Sequence, residues 1–112
     1  YNANPTSMAA ALENFSMIKA DKKMLILGDM RELGEVSQAE HKRIVEDLRK
    51  YGFTDVWLVG SEFAQAAADS GFRLFPDVEA VNKALESEPV NGYTILIKGS
   101  NSIGLTKTLT SL

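Results

Sequence analysis

The chain is 112 residues long, enough for one real core that buries about two thirds of the unfolded surface without staples. It contains no cysteine, which excludes disulfides, thiolate metal sites and a cysteine nucleophile and fits a reducing cytoplasm. Twelve Lys and Arg against fifteen Asp and Glu give a net charge of −3 with the signs intermingled, which argues against a general nucleic-acid-binding role. The longest apolar run, around residues 24–27, is far short of the roughly 20 residues of a membrane span, so a soluble domain is expected. Because the chain opens at Tyr1 directly on a helix start signal, with no leader, it reads as a piece of a longer protein.

Asn4 and Pro5 predict a helix entry, and Met8, Leu12, Phe15 and Ile18 follow at helical spacing with Ala11 on the same stripe, to about Lys19. Residues 24–27, closed by Gly28, are short and wholly apolar, as in a strand buried on both faces of a parallel sheet. Residues 29–36 mix charge signs around Gly34 and predict a loop. Ser37 and Glu40 have capping-box spacing, with His41, Ile44, Val45 and Leu48 continuing a helix to Tyr51 and Gly52. Residues 55–60 predict a second buried strand. Ser61 is expected to cap a third helix, with Phe63, Ala66 and Ala67 inward and Gly71 as its stop. Residues 72–75 form a short expected strand. Pro76 and Asp77 start a fourth helix with Val78, Val81 and Leu85 on its apolar side. After the Asn91-Gly92 turn, residues 93–97 are the clearest strand, and a last helix carries Ile103, Leu105 and Leu109.

Strict alternation with short connections implies a mainly parallel sheet with helices on both faces, a Rossmann-like three-layer α/β domain. Ligands of such sheets sit at the carboxyl ends of the strands, which directs attention to the loops at 28–34, 60–61 and 98–104.

Lys98-Gly99-Ser100-Asn101-Ser102-Ile103-Gly104 follows a strand and opens a helix, as a phosphate loop does, but Leu105 stands where the phosphate-reaching lysine belongs. Two readings remain: a turn presenting N–H groups and hydroxyls to an anionic group such as a carboxylate, or a tight strand-to-helix connection. In the 29–34 loop, Asp29 or Glu32 could hold an ammonium and Arg31 a carboxylate, or these charges could be solvated or paired with one another. His41, on the apolar stripe, reads as a hydrogen-bonded packing residue. With a single histidine and no cysteine, a histidine metal site or catalytic triad is not expected, and neither Gly28 nor Gly60 begins a dinucleotide fingerprint.

Three of these segments together resemble the C-terminal domain of the Mur ligase family. Tyr1-Asn2-Ala3-Asn4-Pro5-Thr6-Ser7 is similar to the motif joining its ATP-binding central domain to the third domain. Leu27-Gly28-Asp29-Met30-Arg31-Glu32-Leu33-Gly34 is similar to its Leu-Gly-Asp-Met-x-Glu-Leu-Gly loop, with His41 where the family usually has a histidine. Lys98-Gly99-Ser100 matches the start of its Lys-Gly-Ser-Arg motif, with Asn101 in place of the usual Arg. The matches cover essentially the whole chain, as a single domain over residues 1–112. The branch most resembled adds D-alanyl-D-alanine to the UDP-linked muramoyl tripeptide in cytoplasmic cell-wall precursor synthesis. The resemblance implies an ATP-dependent amide ligase working through an acyl phosphate, with ATP and Mg2+ held mainly by the central domain, which is absent from this chain. It implies Asn2 and Asn4 near the adenosine end, and Asp29, Glu32, Lys98, Gly99 and Ser100 on the dipeptide side, with no catalytic residue or metal ligand in this piece. The isolated domain is expected to be inactive. The competing expectation is a stand-alone α/β binding or regulatory module without catalysis, which a phosphate loop encoded upstream of Tyr1 would exclude.

Overall fold

A computed structural model describes residues 4–99; the expected last helix lies outside them. The described elements run α1 (Pro5–Met17), β1 (Lys23–Gly28), α2 (Ser37–Lys50), β2 (Val56–Val59), α3 (Ser61–Ala66), β3 (Arg73–Phe75), α4 (Val78–Ser87) and β4 (Thr94–Lys98).

The entry to α1 forms as its residues predict. The Asn4 side chain accepts the Ser7 N–H at 2.9 Å, the Ser7 hydroxyl accepts the Asn4 N–H at 3.1 Å, and Pro5 takes the first helical position. The helix stops at Met17, two residues before the expected end. There the Lys23 ammonium donates to the carbonyls of Phe15 and Ser16, at 2.8 and 3.2 Å, and satisfies acceptors that a further turn would have used. Met8, Leu12 and Phe15 are buried, each contributing roughly 1.5–3 kcal/mol.

Two helix starts depart from the expectation. The Ser37–Glu40 capping box does not form: a 3-10 turn, Gly34–Val36, leads into α2, whose cap Val36 makes no side-chain bond. Ser61 is not the cap of α3 but its first residue, with Gly60 at the cap position, and α3 ends at Ala66, well before Gly71. The fourth helix starts as expected, with the Asp77 carboxylate accepting the Ala80 N–H at 2.9 Å.

The sheet order is β3-β2-β1-β4 and every pairing is parallel. Strand alternation divides the core. Leu25, Leu27 and Leu58 pack with residues of α1, α2 and α3 on one face, while Met24, Ile26, Trp57 and Val59 pack with Val81 and Leu85 of α4 on the other. The expected three-layer α/β arrangement is therefore present. From β1 the chain steps outward to β2 and β3 and then returns to the opposite side of β1 as β4. That reversal places the topological switch point between β1 and β4, where ligands of open α/β sheets bind at the carboxyl ends.

Candidate functional site

The register at the switch point brings two of the expected segments together. Lys98, the last residue of β4, lies opposite Leu27, and β1 ends one residue later at Gly28, so Lys98 and the 29–34 loop leave the same edge of the sheet side by side. Lys98 shares the strand face of Leu96, which packs toward α1, α2 and α3. Gly99 is the last described residue; Asn2 and Ser100 lie outside the described residues.

Asp29 is 1% exposed. Its Oδ2 accepts the Glu62 N–H at 3.0 Å and its Oδ1 the Phe63 N–H at 2.9 Å, so the carboxylate caps α3 from the neighbouring strand end. This explains why Ser61 is not needed as a cap. It also explains Gly60, which has φ +115°, and where a Cβ would come within 2.3 Å of the Asp29 carboxylate.

Glu32 differs in kind. It is exposed and, among the described non-glycine residues, is the one with positive φ, at 62°. Arg31 is also exposed. The ion pairs among the described residues are Arg43–Glu40 and Arg73–Glu88, so the loop charges are not consumed in pairing with each other. The 30–34 stretch, Ser37 and Glu62 line a cleft of about 260 Å³. Larger clefts of about 450 and 460 Å³ lie on the α2–α3 surface and around the 89–93 turn, away from the switch point.

His41 is fully buried. Its Nε2 accepts the Met30 N–H at 3.0 Å, which places the ring proton on Nδ1, 2.7 Å from the Ser37 carbonyl oxygen. The ring meets Phe63 edge-on, with centroids 4.7 Å apart. Ser37 donates its hydroxyl proton to Glu62 Oε1, and the Gln38 amide donates to the Glu62 carbonyl at 3.2 Å. Sequence spacing does not single out Ser37 and Glu62 as a pair, since they lie on different helices.

Asn4 is exposed and its side-chain oxygen is engaged at the start of α1. Among the described residues, no group of three or more His, Asp or Glu is placed to hold a metal ion, and no helix is long and apolar enough to cross a membrane.

Residues 1–101 match the family described as "Mur ligase, glutamate ligase domain". The chain is 34% identical over 112 residues to the UDP-N-acetylmuramoyl-tripeptide–D-alanyl-D-alanine ligase of Treponema pallidum, covering 94% of this chain and 24% of that one. Among solved structures, MurF of Acinetobacter baumannii superposes with a TM-score of 0.79 at 29% identity, over 100% of this chain and 26% of its own. MurF of Thermotoga maritima in complex with ADP gives 0.77 at 26% identity, over 99% and 26%. The chain thus spans about a quarter of the length of the relatives it matches.

Proposed function

The chain belongs to the Mur ligase family, and from that premise we propose that residues 1–112 form the C-terminal domain of a ligase adding D-alanyl-D-alanine to UDP-N-acetylmuramoyl-tripeptide in peptidoglycan precursor synthesis. The observation that carries this reading at the level of residues is the meeting of Lys98 and the Glu32 loop at the switch point. In the reaction, ATP phosphorylates the terminal carboxylate of the tripeptide, the dipeptide amine attacks the acyl carbon, the amine proton is lost, and phosphate leaves as the amide forms. The work is cytoplasmic, where ATP is available.

In this reading the Glu32 carboxylate holds the ammonium end of the dipeptide, and Lys98 with the N–H groups and hydroxyl of Gly99 and Ser100 faces its carboxylate or the charge developing in acyl transfer. Asp29 belongs to the same side as the residue that fixes the loop. Asn2 and Asn4 stand near the adenosine end; ADP in the Thermotoga relative supports a nucleotide-facing surface. Mg2+ would supply charge neutralisation on the transferred phosphoryl group, and by the family resemblance its ligands would belong to the central domain.

Lys98→Ala in the complete ligase is expected to lower kcat/KM at least tenfold, about 1.4 kcal/mol of transition-state stabilisation, with little change in melting temperature. Normal kinetics would move the site to the 29–34 loop alone. The isolated domain is expected to show neither ligase nor ATPase activity and to bind ATP only weakly, because it encloses one side of the ligand. Micromolar ATP affinity by calorimetry on this fragment would overturn that division of labour.

A further inference from the structure

We propose that His41 is a positioning residue for the incoming amine substrate, acting through the Met30–Glu32 backbone without touching the ligand; the inference rests on the ligase reading above. The segment that carries Glu32 has few constraints of its own. Arg31 and Glu32 project into solvent, and Glu32 holds a left-handed conformation that a glutamate does not adopt without support. The backbone is held on either side of it. After it, the Val36 N–H donates to the Leu33 carbonyl at 3.4 Å as the 3-10 turn begins. Before it, the Met30 N–H donates to His41 Nε2 at 3.0 Å.

The imidazole is itself fixed from two directions, and one of its partners is tied back to the loop entry. Nδ1 donates to the Ser37 carbonyl at 2.7 Å, the ring edge-packs on Phe63, and the Phe63 N–H donates to the Asp29 carboxylate one residue before Met30. Asp29, Phe63, His41 and Met30 thus close a circuit in which the loop entry, the start of α3 and the first turns of α2 share one geometry. Burying a histidine completely to accept a single loop N–H is more than packing requires, because an apolar side chain would fill the same volume but leave that N–H without an acceptor. What the nitrogen adds is the placement of the loop, and a reactive group displaced by about 1 Å can cost on the order of 100-fold in rate.

The test uses the complete ligase carrying this domain, with D-alanyl-D-alanine, ATP and the UDP-linked tripeptide varied in turn. A glutamine can place its amide oxygen where Nε2 stands, an asparagine reaches only the Nδ1 position, and leucine offers no acceptor. His41→Leu is expected to raise KM for D-alanyl-D-alanine at least tenfold while KM for ATP and for the tripeptide stays within about threefold, and His41→Gln is expected to restore the dipeptide KM to within about threefold of the parent. If His41→Leu does not fold, His41→Gln against His41→Asn carries the comparison, with Gln near the parent and Asn weakened for the dipeptide. An unchanged dipeptide KM in His41→Leu, all three constants moving together, or Gln and Asn behaving alike would overturn the proposal. Failure of the parent enzyme to use D-alanyl-D-alanine would instead overturn the ligase reading.

Discussion

Replacing Gly60 by alanine is expected to destabilise the domain by about 4–5 kcal/mol, a large share of its stability. Two costs add. The backbone at Gly60, φ +115° and ψ 165°, lies in a region essentially closed to residues with a Cβ, worth about 1–3 kcal/mol. The new methyl would also lie 2.3 Å from Asp29 Cγ. That carboxylate has nowhere to go without surrendering its two bonds to the Glu62 and Phe63 N–H groups, and losing hydrogen bonds to a buried charge costs about 1.5–3 kcal/mol each. Even partial loss brings the total to about 4–5 kcal/mol, against the 5–15 kcal/mol by which small domains are stable. Urea denaturation of the domain followed by circular dichroism gives the measurement. A free-energy change under about 1 kcal/mol would mean that the strand end relaxes more freely than its hydrogen bonds allow. The double variant Asp29→Ala, Gly60→Ala separates the two costs: the clash disappears with the carboxylate, so the combined loss should fall short of the sum of the singles by about 2 kcal/mol.

That coupling marks the boundary of what local sequence reasoning could reach. The strands were legible because residues 24–27 and 95–97 are apolar without alternation, and a sheet covered on both faces demands this. The starts of α1 and α4 were legible because Asn4 and Asp77 cap N–H groups three residues ahead, within the same stretch of chain. The starts of α2 and α3 were not. Ser37 and Ser61 have the right residue type at the right spacing, yet the group that satisfies the third helix comes from Asp29, more than thirty positions earlier, and the Ser37 hydroxyl is spent on Glu62. Local propensity states what a residue can do, and the sheet decides which partner it meets.

The site was legible to a similar degree. Alternation of strands and helices pointed to the carboxyl edge as the place for a candidate site, and the β4–β1 register sets Lys98 beside the 29–34 loop there. The loop's charges all looked equivalent in sequence. Their burial divides them: Asp29 faces inward to backbone N–H groups, whereas Arg31 and Glu32 face outward. A carboxylate directly after a buried strand, next to a parallel neighbour whose helix begins one residue past its own strand, is the sequence signal that this helix can draw its cap from Asp29. It competes with the equally good expectation of a ligand at a strand end, and only the distances to Glu62 and Phe63 decide which bonds the oxygens make.

Asp29→Asn is therefore expected to act on stability before it acts on catalysis. The amide keeps one oxygen but turns an NH2 group toward the second backbone N–H, so one donor of α3 loses its acceptor and gains a like neighbour. The charge-assisted character of the remaining bond is lost as well. Together these should cost about 2–3 kcal/mol, lowering the melting temperature of a domain this size by roughly 10–20 °C. In the complete ligase, assayed well below that temperature, the loop entry loosens but the exposed Glu32 and the Lys98 strand end remain. The expected result is a rise in KM for D-alanyl-D-alanine no larger than that of His41→Leu, with kcat within about threefold of the parent. Calorimetric melting and steady-state kinetics on the same preparation check both halves. A variant that melts like the parent yet fails to turn over would place the Asp29 carboxylate on the substrate itself, which its bonds to Glu62 and Phe63 would then have to release on binding.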